Sequence, residues 1–229
     1  MRWFFEKPFN SEDFIAKLSE LIQRRPPGPP LPILEKLAGS LHSAGVTAIF
    51  CESESRRQLF STLVDCLTSP LIPVPVLVAC GRLLSCLLLQ SSCDPARAER
   101  ALGQAKTLAA TPHVFGRIDY RVLDLIEWME SADVTQPLSL ERFAPSCRAA
   151  KDLGKKLREQ TTLSFVDWHR ALRLRRCLSP LIDGRLSVGQ IGHAKGYQHE
   201  SQFSREFKET FGLPPKLFQQ CLIAESRLR

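Results

Sequence analysis

Between residues 186 and 218 the sequence LSVGQIGHAKGYQHESQFSREFKETFGLPPKLF gathers side chains that can bond to bases and phosphates along one predicted helix. Glu200, Ser201, Gln202 and Arg205 fall on its N-terminal, outward side, while Phe203, Phe207 and Phe211, at i, i+4 and i+8, give it an aromatic inner edge. Arg can form paired hydrogen bonds with guanine and Gln with adenine, and Lys and Arg around them neutralise phosphate. Just upstream, Ser187 can cap a helix that turns Ile191 and Ala194 inward, and Gly196 ends it where positive φ is needed. A packed helix, a tight turn and a second helix with outward-facing early residues is the layout that enters a DNA major groove.

The other reactive residue types form no competing site in the sequence. His169, His193 and His199 have no acidic or cysteine partner at metal-ligand spacing, so no metal is expected, and His199 is assigned to the DNA backbone. No Ser/His/Asp or Cys/His arrangement and no phosphate loop supports catalysis, so neither an enzyme nor a cofactor is expected. Asp124 and Glu127 read as solvated, and Trp128 and Trp168 as core. The eight cysteines include no CxxC pair and read as reduced, with Cys86 and Cys93 read as buried free thiols, although a thiol sensor built on residues 51–93 is a further reading. Cys86 and Cys93, seven apart, can share a helical face.

Charge separates the two halves of the chain. Residues 134–229 carry a net +8 and residues 1–133 a net −1, so the basic half is the one suited to a polyanion. The opening MRWFFEKPF is broken too early for a signal peptide, and the apolar stretch 71–89 is interrupted by prolines, a glycine and Arg82. The reading is therefore a cytoplasmic protein without a membrane segment.

The elements that must position these residues follow from periodicity. In the first half, helices are predicted from Ser11 through Arg25, at 33–41, 55–67, 75–90 and 95–109. A stiff proline link occupies 26–32, and ValThrAlaIlePhe (46–50) has strand character. From Arg117 an apolar stripe predicts a long helix. Shorter ones follow at 138–143, 151–159, 165–179, 188–195 and 200–211. The fold class is mainly α: a mostly helical N-terminal domain at 1–115, an all-helical domain with two helix-turn-helix motifs at 116–222, and a tail at 223–229. The apolar stripes of the second domain predict that residues 113–229 fold alone.

The pattern IleGly-x-x-x-GlyTyr-x-x-x-Ser-x-PheSer-x-x-PheLys followed by PheGly-x-ProPro resembles the second helix-turn-helix signature of the AraC/XylS family. SerPheValAspTrpHisArgAlaLeuArgLeuArgArgCysLeu (164–178) is similar to that family's linking helix, and residues 121–144 to its opening helix and the approach to the first motif. The resemblance implies a transcription regulator, with activation as its direction, that binds double-stranded DNA and contacts RNA polymerase. A homodimer is compatible with it, and the N-terminal effector, small molecule or protein, is left open. It adds Ser204 and Lys208 to the DNA-facing residues and places Lys151 and Lys155, as phosphate contacts, on a first recognition helix. In that helix Gly154 takes a position where a base-contacting side chain is usual. Thr162 and Gly192 replace a closing glycine and a small core alanine, and Pro180 is expected to end or kink the linking helix near Ser179. The rival reading is a co-regulatory interaction module that keeps the fold with little sequence-specific DNA binding.

Overall fold

The computed structural model describes residues 32–227 except 52, 111–118, 134–135, 137 and 145. The helix expected from Ser11 and most of the proline link lie outside the described residues. The described elements are helical. In the first half they are α1 (Pro32–Ser43), α2 (Thr47–Phe50), α3 (Glu54–Thr68), α4 (Val74–Leu89), a 3-10 turn (Gln90–Ser92) and α5 (Pro95–Ala110). The second half follows with α6 (Tyr120–Ser131), α7 (Leu140–Phe143), α8 (Cys147–Thr161), α9 (Phe165–Asp183), α10 (Val188–Ala194), α11 (Glu200–Phe211) and α12 (Pro215–Arg227).

Short polar side chains start many of these helices. Ser53, Asp119, Ser139 and Ser146 each accept a first-turn N–H, and Ser164 and Ser187 form capping boxes with Asp167 and Gln190. Two sequence expectations are corrected. Residues 46–50 form a helical turn rather than a strand, with Ile49 fully buried and Cys51 N–H bonded to the Thr47 carbonyl. Strand propensity is realised only against a pairing edge, and none lies beside this segment among the described residues. Pro180 does not end α9 at Ser179, because the helix runs on to Asp183 and closes at Gly184 with φ 71°. Proline near a C-terminus removes one donor, and the complete burial of Leu178 and Leu181 outweighs that loss.

The helices assemble around α4. In the first half α1 packs on α3 and α5, and α4 packs on the same two helices from the other side. The opposite face of α4 meets α9, α11 and α12. Its residues from Val74 to Leu88 are buried with the exception of Arg82, as expected of a helix that is apolar all round. Gly81 makes the contact with α11 possible, since a Cβ there would lie 2.3 Å from the Phe211 ring. Val74 and Val78 also join one core with Val122, Leu125, Met129, Leu157 and Trp168.

Polar contacts tie the same elements. Arg82 Nε donates to the Thr210 carbonyl at 2.9 Å and Arg97 Nη2 to the Gly212 carbonyl at 2.6 Å, so both hold the C-terminal end of α11. Arg175 on α9 donates to the Ile72 carbonyl at 2.6 Å. Arg56, almost fully buried, pairs with Glu225 at 2.5 Å and donates to the Leu87 carbonyl. Residues Pro32–Arg229 form one compact unit, and these contacts cross the boundary placed at 115/116.

A fragment of residues 113–229 leaves Phe211 without its partner on α4 and α11 without two arginine contacts. It is expected to lose cooperative thermal unfolding and much of its helical circular dichroism relative to the full chain. A fragment that melts cooperatively with full helical signal would show that the second half carries a self-sufficient core.

Candidate nucleic-acid interface

The second motif is built from α10, its turn and α11. Val188 and Ile191 are buried, whereas Ala194, expected inward, is exposed because α10 ends there and the chain turns away. The turn is a Schellman motif: Tyr197 N–H bonds to the Gly192 carbonyl at 3.0 Å and Gly196 N–H to the His193 carbonyl at 3.1 Å. Gly196 has φ 83°, a conformation that favours glycine. His199 occupies the N-cap of α11, is exposed, and makes no side-chain cap bond.

Phe203, Phe207 and Phe211 are fully buried. The Phe207 ring lies 4.8 Å from Phe211 and 5.3 Å from Phe218, in edge-to-face arrangements that fix the rotation of α11. Glu200, Ser201, Arg205 and Lys208 are exposed on the other side, with Ser204 half-buried among them. Arg205 and Lys208 form no ion pair among the described residues. The Glu200 carboxylate lies over the backbone of α10, 2.7 Å from where a Cβ on Gly189 would stand. Gln202 is half-buried, and its amide nitrogen donates to Glu206 Oε1 at 3.1 Å. Glu206 was not picked out from sequence. Only the fold reveals its partners, Tyr197 across the turn and Arg173 on α9.

The first motif is slighter. α7 is a single turn with no buried residue, and residues 144–146 alone separate it from α8. Leu153 and Leu157 face inward from α8, while Lys151 and Lys155 are exposed as expected. Lys155 lies 3.7 Å from Glu159. Arg148 and Arg158, also exposed, extend these lysines into a basic stripe at i, i+3, i+7 and i+10. Their helical spacing is legible in the sequence. Gly154, expected among the outward positions, is half-buried and faces α7: a Cβ on it would lie 3.2 Å from Leu140 Cδ1. The short link presses α7 against α8 at that point.

Together these elements form a tightly turned helix pair with a basic, polar outer edge, repeated in reduced form one long helix earlier. A helix-turn-helix domain family matches residues 148–220, the span from α8 into α12. This chain carries a helix-turn-helix domain. The chain is similar to part of the HTH-type transcriptional activator RhaR of Pectobacterium carotovorum subsp. carotovorum, at 28% identity over 127 residues, or 53% of this chain and 45% of that protein. It is likewise similar to the HTH-type transcriptional regulator GlxA of Rhizobium meliloti, at 30% identity over 102 residues, 44% of this chain and 31% of that protein. The HTH-type transcriptional regulator AlkR of Acinetobacter baylyi is 29% identical over 89 residues, 37% of this chain and 28% of that protein. The chain thus spans less than half the length of these relatives. No solved structure gives a significant match.

Other candidate chemistry lies apart from this edge. Among the described residues no group of His, Cys, Asp and Glu is arranged to hold a metal ion, and no helix is long and apolar enough to cross a membrane. Cys66, Cys80, Cys86, Cys93 and Cys177 are buried. Burial pushes the Cys86 and Cys177 thiols up to about 12, which keeps them protonated and weakly nucleophilic. Cys66 is shifted down by its contact with Cys80.

Two residues outside the polar outer edge govern how firmly α8 is held. Asp119 caps α6, bonds Arg121 at 3.1 and 3.2 Å, and also pairs with Lys156 on α8, while its N–H donates to Gln160. The Arg121 bonds, followed by Lys156, hold its carboxyl well below the usual carboxylate range against the opposing effect of burial. A depressed folded pKa contributes stability that is present above the unfolded value of about 4 and lost as pH falls towards the folded one. Asp119→Asn is therefore expected to cost about 1–2 kcal/mol at pH 7 in urea unfolding, with the difference from wild type shrinking below about pH 4. A constant difference down to pH 2 would assign the effect to packing.

Thr162, the residue that stands where the AraC pattern has glycine, closes α8 in the left-handed region at φ 66°. A β-branched residue there is strained by roughly 1–2 kcal/mol, partly offset in a glycine variant by the greater entropy of its unfolded chain. Thr162→Gly is expected to stabilise the protein by about 0.5–1 kcal/mol, read as a higher urea midpoint at unchanged slope.

Proposed function

We propose that this protein is a sequence-specific DNA-binding transcription regulator, acting as an activator, that reads DNA mainly through α11. The observation carrying this reading is the division of α11 into a fully buried phenylalanine edge and an exposed edge bearing Ser201, Arg205 and Lys208, directly after a tight turn. Arg205 has the donor fork that matches guanine, and Ser204 and Lys208 lie beside it for backbone contact. Glu200 and Gln202 complete the reading edge, and the uncapped start of α11 at His199 directs first-turn N–H groups towards a phosphate. Lys151 and Lys155, joined by Arg148 and Arg158, serve as phosphate contacts from α8. The names of the RhaR relatives support activation, and with it RNA polymerase as a partner.

Residues 1–115 serve as the regulatory or interaction part. The packing of α4 and α5 on the end of α11 gives an effector or protein partner bound there a direct mechanical route to the reading helix. A homodimer that places two copies of α11 on a repeated site fits the same reading. The second reading, a co-regulatory interaction module with little sequence preference, is favoured by the single-turn α7 and the glycine on α8. Selection of genomic fragments by the purified chain separates the two: a shared motif supports the regulator, and motif-free, salt-labile binding supports the module.

Within a selected site, Arg205→Ala is expected to cost about 1–3 kcal/mol on preferred DNA and much less on random DNA. Lys155→Ala is expected to weaken both alike and to reduce the salt slope by about one unit. Titrations of each variant on both DNAs at several salt concentrations decide; the opposite pattern would move base reading to α8.

A further inference from the structure

α11 carries an acidic side chain, Glu206, whose charge is opposed to phosphate contact. A carboxylate on a DNA-facing helix repels phosphate, yet Glu206 sits one turn after Gln202 and next to Arg205. It is largely buried, with 14% of its side chain exposed, and each of its oxygens is engaged. Oε2 accepts from Tyr197 Oη at 3.0 Å and lies 3.7 Å from Arg173 Nη1, while Oε1 accepts from Gln202 Nε2 at 3.1 Å. Arg173, itself 14% exposed, stands on α9 with its guanidinium 4.2 Å from the centre of the Tyr197 ring. Burial, followed by the nearby Glu206 charge, pushes the Tyr197 hydroxyl up, so it remains a neutral donor.

This arrangement removes a choice that a free glutamine has. A primary amide presents a carbonyl acceptor at one corner and two N–H donors at the other, and a 180° turn about its last torsion exchanges them. A carboxylate can only accept, so beside Glu206 the amide nitrogen is the only corner that makes an attractive contact. Gln202 is thereby held with one N–H spent on Glu206, leaving its other N–H and its carbonyl oxygen for a base. That pair matches adenine, which offers an acceptor at N7 and a donor at N6. Guanine offers two acceptors, N7 and O6, and would be met best by an amide turned to present both N–H groups. Glu206 itself is carried by Arg173, which balances its charge before DNA arrives, and by Tyr197, which belongs to the turn.

The geometry points to Glu206 as a positioning residue for specificity: by holding the Gln202 amide in one orientation, it makes the base opposite Gln202 adenine in preference to guanine. The idea rests on α11 being the DNA-reading helix. It adds that discrimination at one base is set from the linking helix through Arg173, Glu206 and Gln202, and that the ordering of Gln202 is complete before binding.

The test is binding-site selection and competition titration with the full chain, using wild type, Glu206→Gln, Glu206→Asp and Gln202→Ala, together with Glu206→Gln in the Gln202→Ala background. Glu206→Gln permits either amide orientation. Glu206→Asp keeps the charge beside Arg173 and withdraws it from Gln202 by one methylene, so one of the two remains informative if the other fails to fold, as judged by thermal melting. Removing a negative charge raises affinity for all DNA, so the quantity read is the adenine-to-guanine ratio at the single selected position. Wild type is expected to favour adenine there by about tenfold, and either folded Glu206 variant to bring the ratio close to one while other positions stay unchanged. In the Gln202→Ala background the ratio is expected to be indifferent to Glu206→Gln, an outcome that a purely structural role for Glu206 does not produce. A wild-type ratio retained in both folded variants, or an equal shift with and without Gln202, overturns the proposal while leaving α11 as the reader. A wild-type protein that selects no motif overturns the underlying reading as well.

Discussion

The contact between Gly81 and Phe211 is the constraint on which the rest of the structure depends. Phe211 is the last of the three phenylalanines that fix the rotation of α11, and its ring occupies the space that a Cβ at Gly81 would fill. α11 is therefore seated on α4 as well as on its neighbours in the helix-turn-helix. Because α4 is buried on nearly every side, it cannot shift without disturbing α3 and α5 on one face or α9, α11 and α12 on the other. Close-packed interiors transmit such displacements rather than absorbing them.

The cationic side chains are divided between two tasks, and only the surroundings of each residue decide which. Arg56, Arg82, Arg97 and Arg175 are directed at carbonyls or a carboxylate inside the molecule, the first three at carbonyls near the C-terminal ends of helices and Arg175 at the Ile72 carbonyl in the turn before α4. Arg148, Lys151, Arg205 and Lys208 are exposed on α8 and α11. Net charge counts both groups alike. The net excess in the second half already sets Arg173 and Arg170 against their partners Glu206 and Glu209, so what remains rests on other cations, the exposed ones on α8 and α11 among them.

The two helix-turn-helix motifs illustrate how much local structure a rigid turn supplies. In the second, the Schellman bonds at Gly196, the capping box at Ser187 and the phenylalanine edge all favour one geometry. The first has a one-turn leading helix, a three-residue link and a strained threonine at its close. Its second helix, α8, is held instead from behind, by the attachment of Asp119 to Lys156 and Gln160. The asymmetry in base reading proposed above has a physical basis in that difference.

By itself the sequence determined the helical class, the bounds of most helices, the glycine turn at Gly196 and the buried edge of α11. These are local properties: period-3.6 apolar spacing, serine caps and a residue that tolerates positive φ act within a few positions of chain. It also identified the helix-turn-helix family through a motif contained in some thirty residues. The tertiary structure decided matters in which distant segments meet. It turned 46–50 into a helical turn, carried α9 through Pro180, packed Gly154 against Leu140, and bound Gln202 into a cluster with Tyr197 and Arg173. Each of those outcomes depends on a neighbour far away in sequence whose packing or charge outweighs the local preference, and periodicity along one chain carries no record of which neighbour that is.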